Sequence, residues 1–312
     1  MAAGLHNPST APATVPAALR ALLSGLIDYA GLFPPAKLSL RDAAEKFVRY
    51  SRGPHAWMLG KFVLPASQLS EFRDTVTGIP EAFGFTYTLS ALLGNEPVRD
   101  AREIRAEINH QNGAGSRPFS IEAIEFRPGS PSMVAEVSAL LPKGLPVFCE
   151  VPPLENLADW LRAIREAGAF AKIRTGGVTL ASFPPSAVVA DFILECKAHG
   201  VGFKATAGLH HPVRSKNPLT YEIDSVCGVM HGFLNVFVGA ALAGECASKE
   251  QLVQILDEGQ ADSFRVSVET LEWHGVQVSA TDVARTREHF AISFGSCSFE
   301  EPIQDLQKLG LL

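Results

Sequence analysis

The feature that most constrains the fold of this chain is a repeated alternation of short apolar runs with segments of helical spacing. Each apolar run has the length of a β-strand and ends in Gly or Pro, and the segments that follow show helical periodicity. Strands that alternate with helices are typical of parallel sheets, because the chain must cross back over the sheet between parallel strands. The sequence predicts six such strands, at residues 57–65, 83–90, 121–129, 145–153, 170–177 and 201–208.

The end of the chain supplies one more strand and helix. Residues 290–299 predict the strand, and a helix follows it directly. Ser298 can act as the N-cap of this helix with Glu301 at its third position, which is the arrangement known as a capping box.

The strand before this last one is ambiguous, because two segments fit. Residues 233–238 are one choice, and residues 264–271, which also resemble the first half of a hairpin turning near residues 274–275, are the other. Either choice brings the count to eight, the number that closes a (β/α)8 TIM-type barrel. An open doubly wound sheet is the alternative, but it usually carries a Gly-rich phosphate fingerprint after its first strand, and none follows residues 57–65. We therefore predict an α/β chain with a closed barrel.

The predicted domain organisation is one barrel with an extension and an insertion. Residues 55–312 are predicted to form the barrel, with an insertion around residues 209–280. Residues 1–54 are predicted to be a tail and N-terminal helices, around residues 16–29 and 40–52, that pack on the barrel. These additions account for a length above the roughly 250 residues typical of the fold.

The charge of the chain excludes two classes of binding partner. The 312 residues include 27 Lys and Arg against 33 Asp and Glu, which gives a net charge of −6 without a basic run. Such a chain is not suited to wrap nucleic acid or to lie on an anionic membrane. Only 19% of the residues are charged, which indicates that some surface is buried between the subunits of a homo-oligomer.

The cysteines and the apolar stretches indicate a cytoplasmic protein. Five cysteines are dispersed without a CxxC pair, which is typical of a reducing compartment rather than of a disulfide framework. The N-terminal stretch has no basic residue before Arg20, so we expect no signal peptide. The most apolar stretch, residues 226–244, contains His231 and Asn235, and we expect a buried element there rather than a membrane span.

Charged residues lie on the predicted strands, and a barrel builds its active site where strands end and loops begin. Side chains alternate along a strand, so Lys172 and Arg174 share one face while Ile173 is suited to packing under the helices. Inward charges are costly unless they are paired or used on a ligand, so this set predicts either a binding site or a buried ion-pair network. The charged and polar strand residues are Lys61, Glu125, Arg127, Glu150, Lys172, Arg174, Lys204 and Thr206.

Two loops are expected to hold an anionic group of the substrate. Gly176 and Gly177 leave backbone amides free to approach an anion at the end of a strand. Gly295, Ser296 and Ser298 can present amides and hydroxyls at the N-terminus of the last helix. Phosphate sites after the last two strands are frequent in TIM barrels.

Lys204 is the predicted nucleophile of the site. It is expected deep in the barrel beside Lys172 and Arg174, whose positive charges should lower its pKa. A neutral amine is what a Schiff-base nucleophile requires. Lys172 is the alternative nucleophile, with Lys204 as the neighbour that perturbs it, and the sequence leaves both open.

A short motif connects this chain to a known family. The segment Lys204-Ala-Thr206-Ala-Gly208 resembles the Lys-x-Thr-x-Gly segment of deoxyribose-phosphate aldolase. That family of class I aldolase barrels uses a lysine on the sixth strand to form a Schiff base. The resemblance therefore implies that Lys204, on the predicted sixth strand, forms the carbinolamine. It covers five residues and ends at the following Leu209.

His210, His211 and Glu150 are candidates for proton transfer and substrate contact. Adjacent residues in an extended loop point in opposite directions, so at most one of the two histidines is easily directed into the site. We expect His210 or Glu150 to act as a general acid or base. Cys297 lies in the last predicted loop, but the sequence identifies no base partner for it, so we assign it no role.

These observations predict an enzyme that acts on a small anionic metabolite, with aldolase-like or lyase-like chemistry and without a metal or cofactor. One alternative keeps the barrel but uses a divalent metal held by Glu125, Glu150 and a histidine such as His231. The other alternative is a non-catalytic barrel that binds an anion or serves as a subunit of an assembly.

Overall fold

The computed structural model describes residues 15–112, 117–153, 155–246 and 248–312. The predicted N-terminal tail lies outside these ranges. The strands are β1 (Ile27–Tyr29), β2 (Leu59–Pro65), β3 (Tyr87–Leu92), β4 (Phe119–Phe126), β5 (Val147–Glu150), β6 (Phe170–Arg174), β7 (Phe203–Thr206), β8 (Ser215–Pro218), β9 (Cys227–Met230), β10 (Phe264–Val266), β11 (Thr270–Trp273), β12 (Val276–Ser279) and β13 (Ala291–Ser296).

Helices alternate with the barrel strands. They are α1 (Ala17–Leu23), α2 (Leu40–Ser51), α3 (Leu69–Thr77), α4 (Pro97–Asn112), α5 (Pro131–Leu140), α6 (Leu157–Glu166), α7 (Ser186–His199), α8 (Phe233–Leu242), α9 (Lys249–Asp257), α10 (Ala280–His289) and α11 (Glu300–Lys308). Among the helices of the described ranges, none combines the length and the apolar character needed to cross a bilayer.

The predicted (β/α)8 TIM-type barrel is confirmed. Eight parallel strands close in the order β1-β13-β7-β6-β5-β4-β3-β2, and helices alternate with them along the chain. The six strands expected between residues 57 and 208 correspond to β2 through β7, and the last expected strand corresponds to β13. The carboxyl ends of these strands meet at one mouth, which is where barrels of this class carry their sites.

The first barrel strand was not predicted. Residues 16–29 were expected to be one helix, but α1 ends at Leu23, and Gly25 takes a left-handed conformation with φ +57°. The next residues then form β1, which pairs with β13 on one side and with β2 on the other. The boundary predicted at residue 54 is therefore wrong in this respect, because β1 belongs to the barrel. Because β1 is counted, the number of every later strand increases by one, so Lys172 lies on the sixth strand and Lys204 on the seventh.

Both choices for the ambiguous strand were wrong. Residues 233–238 lie in α8, which is buried along its whole length, so its sequence shows no periodicity that separates a helix from a strand. Residues 264–271 contribute to a three-stranded antiparallel sheet, β10-β11-β12, outside the barrel. The hairpin predicted within this segment is confirmed, since β11 and β12 turn through His274 and Gly275, both with positive φ.

The core contains an aromatic layer between the first strands and their helices. Tyr29, Phe62 and Tyr87 come from β1, β2 and β3, and they pack against Phe47 of α2 and Phe72 of α3. Some of these rings meet edge to face, such as Phe47 and Phe62, whose ring centroids are 5.5 Å apart. Such contacts stabilise the core beyond the effect of burying the apolar area of the rings. Ser39 is the N-cap of α2, and its side chain accepts a hydrogen bond from the Asp42 amide.

Candidate active site

A cavity of about 720 Å³ opens at the carboxyl ends of the barrel strands. The loop after β1, residues 30–36, contributes Phe33 and Pro34 to its wall, so this apolar loop covers part of the mouth. Each of the eight barrel strands, or the loop after it, supplies a lining residue. One from each is Phe33, Val63, Leu92, Glu125, Glu150, Lys172, Thr206 and Gly295.

Lys204 lies in the barrel interior and joins three strands. Its side chain is 1% exposed, and its Nζ donates to Asp28 Oδ2 at 2.5 Å and to Glu125 Oε1 at 2.5 Å. Asp28 also accepts from Ser293 Oγ at 2.8 Å and from the Lys61 backbone amide at 2.6 Å. A buried ion pair is stable only when its remaining hydrogen-bonding groups find partners, and these contacts occupy both oxygens of Asp28.

Lys172 carries the network from the interior into the cavity. Its Nζ lies 2.9 Å from Glu125 Oε2 and 3.1 Å from Glu150 Oε2. Arg174 Nε lies 3.1 Å from Glu150 Oε1, and its side chain is 52% exposed. Three carboxylates and three cations thus alternate from β1 in the barrel interior to the mouth of the cavity. Their order is Asp28, Lys204, Glu125, Lys172, Glu150 and Arg174.

The charge states of this network differ from the sequence prediction for Lys204. Burial alone would lower the pKa of Lys204, but Asp28 and Glu125 outweigh burial and raise it above its ordinary value. Lys204 is therefore an ammonium group, and the neutral amine that we predicted there is wrong. The expectation omitted Asp28, because β1 was not recognised as a strand.

The two glutamates remain ionised although they are buried. Burial would raise the pKa of Glu125, but Lys172 and Lys204 lower it well below its ordinary range. Burial would likewise raise the pKa of Glu150, and Lys172 and Arg174 lower it. Ser90 Oγ donates to Glu125 Oε1 at 2.7 Å and adds to this effect. Glu150 is therefore a carboxylate within 3.1 Å of the Lys172 Nζ.

Most predicted site residues line the cavity, but several do not. The lining includes the candidates Glu125, Arg127, Glu150, Lys172, Arg174, Gly177, Thr206, His210 and Gly295. Six candidates lie outside the cavity lining, so their predicted roles as nucleophile or substrate contacts are not supported by position. They are Lys61, Gly176, Lys204, His211, Ser296 and Ser298.

The structure gives most of these residues local roles. Gly176 lies against Gly208, and a Cβ on Gly176 would come within 2.7 Å of the Gly208 Cα. Ser298 Oγ accepts from the Glu301 amide at 3.1 Å, and Ser296 Oγ accepts from the Ser298 amide at 3.3 Å. The Ser298 hydroxyl therefore caps the first turn of the last helix, which is one half of the predicted capping box, although Phe299 and not Ser298 directly precedes the helix. The Glu301 carboxylate lies at His210 instead, and the Ser296 hydroxyl bonds within the preceding loop.

The two adjacent histidines point in different directions, as expected. His210 lines the cavity, whereas His211 turns to α11 and its Nδ1 lies 2.6 Å from Asp305 Oδ2. The His210 Nδ1 lies 3.0 Å from Glu301 Oε2, and its Nε2 lies 4.0 Å from Cys297 Sγ. Sequence reasoning missed this contact, because 87 residues separate the cysteine from its partner. The sequence identified no base partner for Cys297, and the structure places His210 beside it.

His231 does not join the site. It is buried, and its Nε2 lies 2.7 Å from the Pro184 carbonyl oxygen. Asn235 donates to the carbonyls of Ile255 and Glu258. Within the described ranges, no group of three or more His, Cys, Asp or Glu side chains is arranged to hold a metal ion.

Comparisons with known proteins do not assign a family. A scan of the sequence against models of protein families gave no match. A search of curated proteins gave no significantly similar sequence.

Proposed function

We propose that this barrel is an enzyme that acts on a small carbonyl compound carrying a carboxylate or phosphate, with aldolase-like or lyase-like chemistry at Lys172. The observation that carries the proposal is the position of the Lys172 amine. It lies in the wall of the cavity, within 3.1 Å of two carboxylates, at the middle of the barrel strand β6.

The cavity offers cations for the anionic group of such a substrate. Arg127 and Arg174 are exposed and line the cavity near its mouth. Guanidinium groups bind carboxylates and phosphates through two parallel hydrogen bonds, which fix the orientation of a small ligand. An anion held there leaves the carbonyl of a short substrate free to reach deeper into the cavity.

Lys172 and Glu150 then supply the chemistry. The amine attacks the carbonyl carbon, Glu150 exchanges protons with the amine and the substrate oxygen, and loss of water gives an iminium. The iminium accepts the electron pair of the carbon–carbon bond that breaks, while the hydroxyl on the departing carbon gives its proton to Glu150 and becomes a carbonyl. Protonation of the resulting enamine by Glu150 and attack of water on the iminium then release the second product and restore the amine. Lys204 remains protonated beneath it and holds Glu125 in place, so its role is positioning rather than attack.

The assignment to Lys172 also changes how the aldolase resemblance applies. The resemblance implies a Schiff-base lysine on the sixth strand, and with β1 counted that strand carries Lys172. Lys204, within the motif itself, lies on the neighbouring strand in register with Lys172. The motif itself therefore still points to Lys204, and only the strand position favours Lys172.

Reductive trapping tests the proposal. The full-length protein is incubated with cyanoborohydride and a panel of small aldehydes and ketones that carry a carboxylate or phosphate, and the modified peptide is identified by mass spectrometry. We expect an adduct on Lys172 that is lost in Lys172→Arg. Lys61→Arg is the matched control, because this lysine lies outside the cavity lining, and it should retain the adduct.

Two outcomes contradict this assignment. An adduct on Lys204 would show that this interior lysine, and not Lys172, is the nucleophile. Binding of panel compounds without any adduct or turnover would favour the non-catalytic, anion-binding alternative.

We further propose a cytoplasmic location and a homo-oligomer. All five cysteines are unpaired, which agrees with a reducing compartment. Apolar side chains on and beside the β8–β9 hairpin, including Tyr221, Ile223 and Val226, are exposed and could be covered by a second subunit. Light scattering of the purified chain tests the oligomeric state.

A further inference from the structure

Cys297, His210 and Glu301 form a line of three hydrogen-bonding groups beside the cavity. The thiol Sγ lies 4.0 Å from His210 Nε2, and the opposite ring nitrogen, Nδ1, lies 3.0 Å from Glu301 Oε2. A nucleophile, a base and a carboxylate that orients the base occur here in the same order as in enzymes with an activated nucleophile. The 4.0 Å distance is at the upper end for a hydrogen bond that involves sulfur.

The three residues come from different parts of the chain and meet at the mouth. Cys297 follows β13, His210 follows β7, and Glu301 lies in the first turn of α11. Cys297 and His210 are both less than 10% exposed, and both line the 720 Å³ cavity. A small compound in the cavity can therefore reach the thiol.

The groups around His210 favour its protonated form, the imidazolium. Burial alone would lower the pKa of His210, but its hydrogen bonds with Cys297 and Glu301 raise it to about 10. Cys297 also precedes the N-terminus of α11, a helix of nine residues whose dipole favours negative charge at this end.

Two phenols lie near the thiol and do not compete for its proton. The Tyr221 hydroxyl is 3.8 Å from Cys297 Sγ, and Tyr29 lies within electrostatic range of it. Burial raises the pKa of Tyr29 far above neutral pH. Desolvation of its hydroxyl, together with the neighbouring Glu301, does the same for Tyr221, although part of that side chain is exposed, so both phenols remain protonated.

We propose that Cys297 is a nucleophile that takes up the acyl group of an ester or thioester bound in the cavity, with His210 as its proton partner and Glu301 as the residue that orients His210. This proposal rests on a set of residues separate from the lysine network. It therefore stands independently of the function proposed for Lys172.

The step balances with water as the second substrate. The Cys297 sulfur attacks the acyl carbon, and the proton of the thiol resides on His210. The carbon–oxygen or carbon–sulfur bond to the leaving group breaks, and His210 protonates the leaving alcohol or thiol. Water, deprotonated by His210, then attacks the thioester on Cys297, which releases the carboxylic acid and restores the thiol.

Acylation of the native protein by p-nitrophenyl acetate tests the proposal directly. We expect a burst of nitrophenolate of about one equivalent and an acetyl group on the peptide that contains Cys297. Cys297→Ser should abolish the burst. Cys227→Ser, which removes an exposed cysteine outside the cavity lining, is the matched control and should leave the burst unchanged.

A second measurement needs no variant. Iodoacetamide alkylation of the wild-type protein is followed at each cysteine by peptide mapping between pH 5 and 9. Because Cys297 lies beside His210 and Glu301, its alkylation rate should rise less steeply with pH than the rate at the exposed Cys227. Glu301→Gln, a nearly isosteric change, should restore a steep profile to Cys297.

The proposal is overturned if Cys297 follows the same pH profile as Cys227 and acquires no acetyl group. It is also overturned if the burst persists in His210→Gln with an unchanged circular dichroism spectrum. Trapping at Lys172 is unaffected by either result, so failure here is distinguishable from failure of the lysine chemistry.

Discussion

Lys204 Nζ lies 2.5 Å from Asp28 Oδ2, and this contact joins the seventh strand of the barrel to the first. Both side chains are nearly inaccessible to solvent, at 1% and 3% exposure. The pair lies where β1 and β7 flank β13, next to the pairing of the first barrel strand with the last. The same contact keeps Lys204 protonated beneath the candidate active site.

Asp28→Asn should be strongly destabilising. The change leaves the buried Lys204 ammonium with one carboxylate instead of two, and breaking a buried pair costs about 3–5 kcal/mol. Guanidinium denaturation at pH 7 measures the loss. In a double-mutant cycle with Lys204→Met, the double variant should be more stable than the sum of the single effects predicts, by at least about 1 kcal/mol. Additive effects would contradict the coupling.

Arg174→Ala should weaken anion binding without loss of stability. Because half of this side chain is exposed, its ion pair with Glu150 contributes little to the free energy of unfolding. Loss of charge-assisted hydrogen bonds should raise the dissociation constant for phosphate or malonate about tenfold or more. Isothermal titration calorimetry measures it. Arg162→Ala, which removes an exposed arginine on α6, is the control and should bind as the wild type does.

Glu150→Gln should change the acid stability of the protein. The pKa of Glu150 in the folded protein lies below its ordinary 4.5, because Lys172 and Arg174 outweigh its burial. Its ionised form therefore contributes stability that is present above pH 4.5 and is lost as the pH falls toward the folded value. We expect Glu150→Gln to cost about 1–3 kcal/mol at pH 7, with a smaller difference from wild type at pH 2.5.

Chemical denaturation at pH 7, 4.5, 3.5 and 2.5 measures this difference. Glu122→Gln changes an exposed residue of β4 and serves as the control, with an effect below about 0.5 kcal/mol. A difference between Glu150→Gln and wild type that stays constant over this range would contradict the assigned charge state.

Tyr29→Phe should not destabilise the protein, although the ring is in the core. Among the described residues, the buried Tyr29 hydroxyl has no hydrogen-bond partner. Removing an unpaired buried hydroxyl should leave stability unchanged or raise it by up to about 1 kcal/mol. Tyr87→Phe is the matched control, since the Tyr87 hydroxyl donates to the Ala44 carbonyl at 3.2 Å. It should lose about 1 kcal/mol in urea denaturation. Equal effects would contradict the distinction.

The sequence predicted seven of the eight barrel strands because their apolar runs are long enough to show a pattern. β1 has three residues, all buried, and one of them is the charged Asp28. A run this short carries no periodicity, and its place in the sheet depends on pairing with the distant β13. The fully buried α8 was ambiguous for the opposite reason, since burial on every side removes the contrast between faces.

The candidate site was predictable where it depends on alternation along one strand. Lys172 and Arg174 both line the cavity, as their spacing indicated. What the sequence could not supply were contacts between distant segments. The pKa of Lys204 depends on Asp28, which is 176 residues away, and Cys297 gains its partner from the loop after β7. These contacts exist only because the barrel closes.

The alternating charges from Asp28 to Arg174 have a thermodynamic consequence for ligand binding. An anion that draws the Arg174 guanidinium away from Glu150 leaves this carboxylate paired with Lys172. The loss of the competing guanidinium strengthens the attraction between Glu150 and Lys172. Since each charge is shared by two neighbours, a change at the mouth alters the electrostatic balance of the next pair inward. Since Arg174 helps to hold the pKa of Glu150 below its ordinary value, occupancy of the rim and ionisation of Glu150 are linked equilibria, and the affinity for an anion should vary with pH.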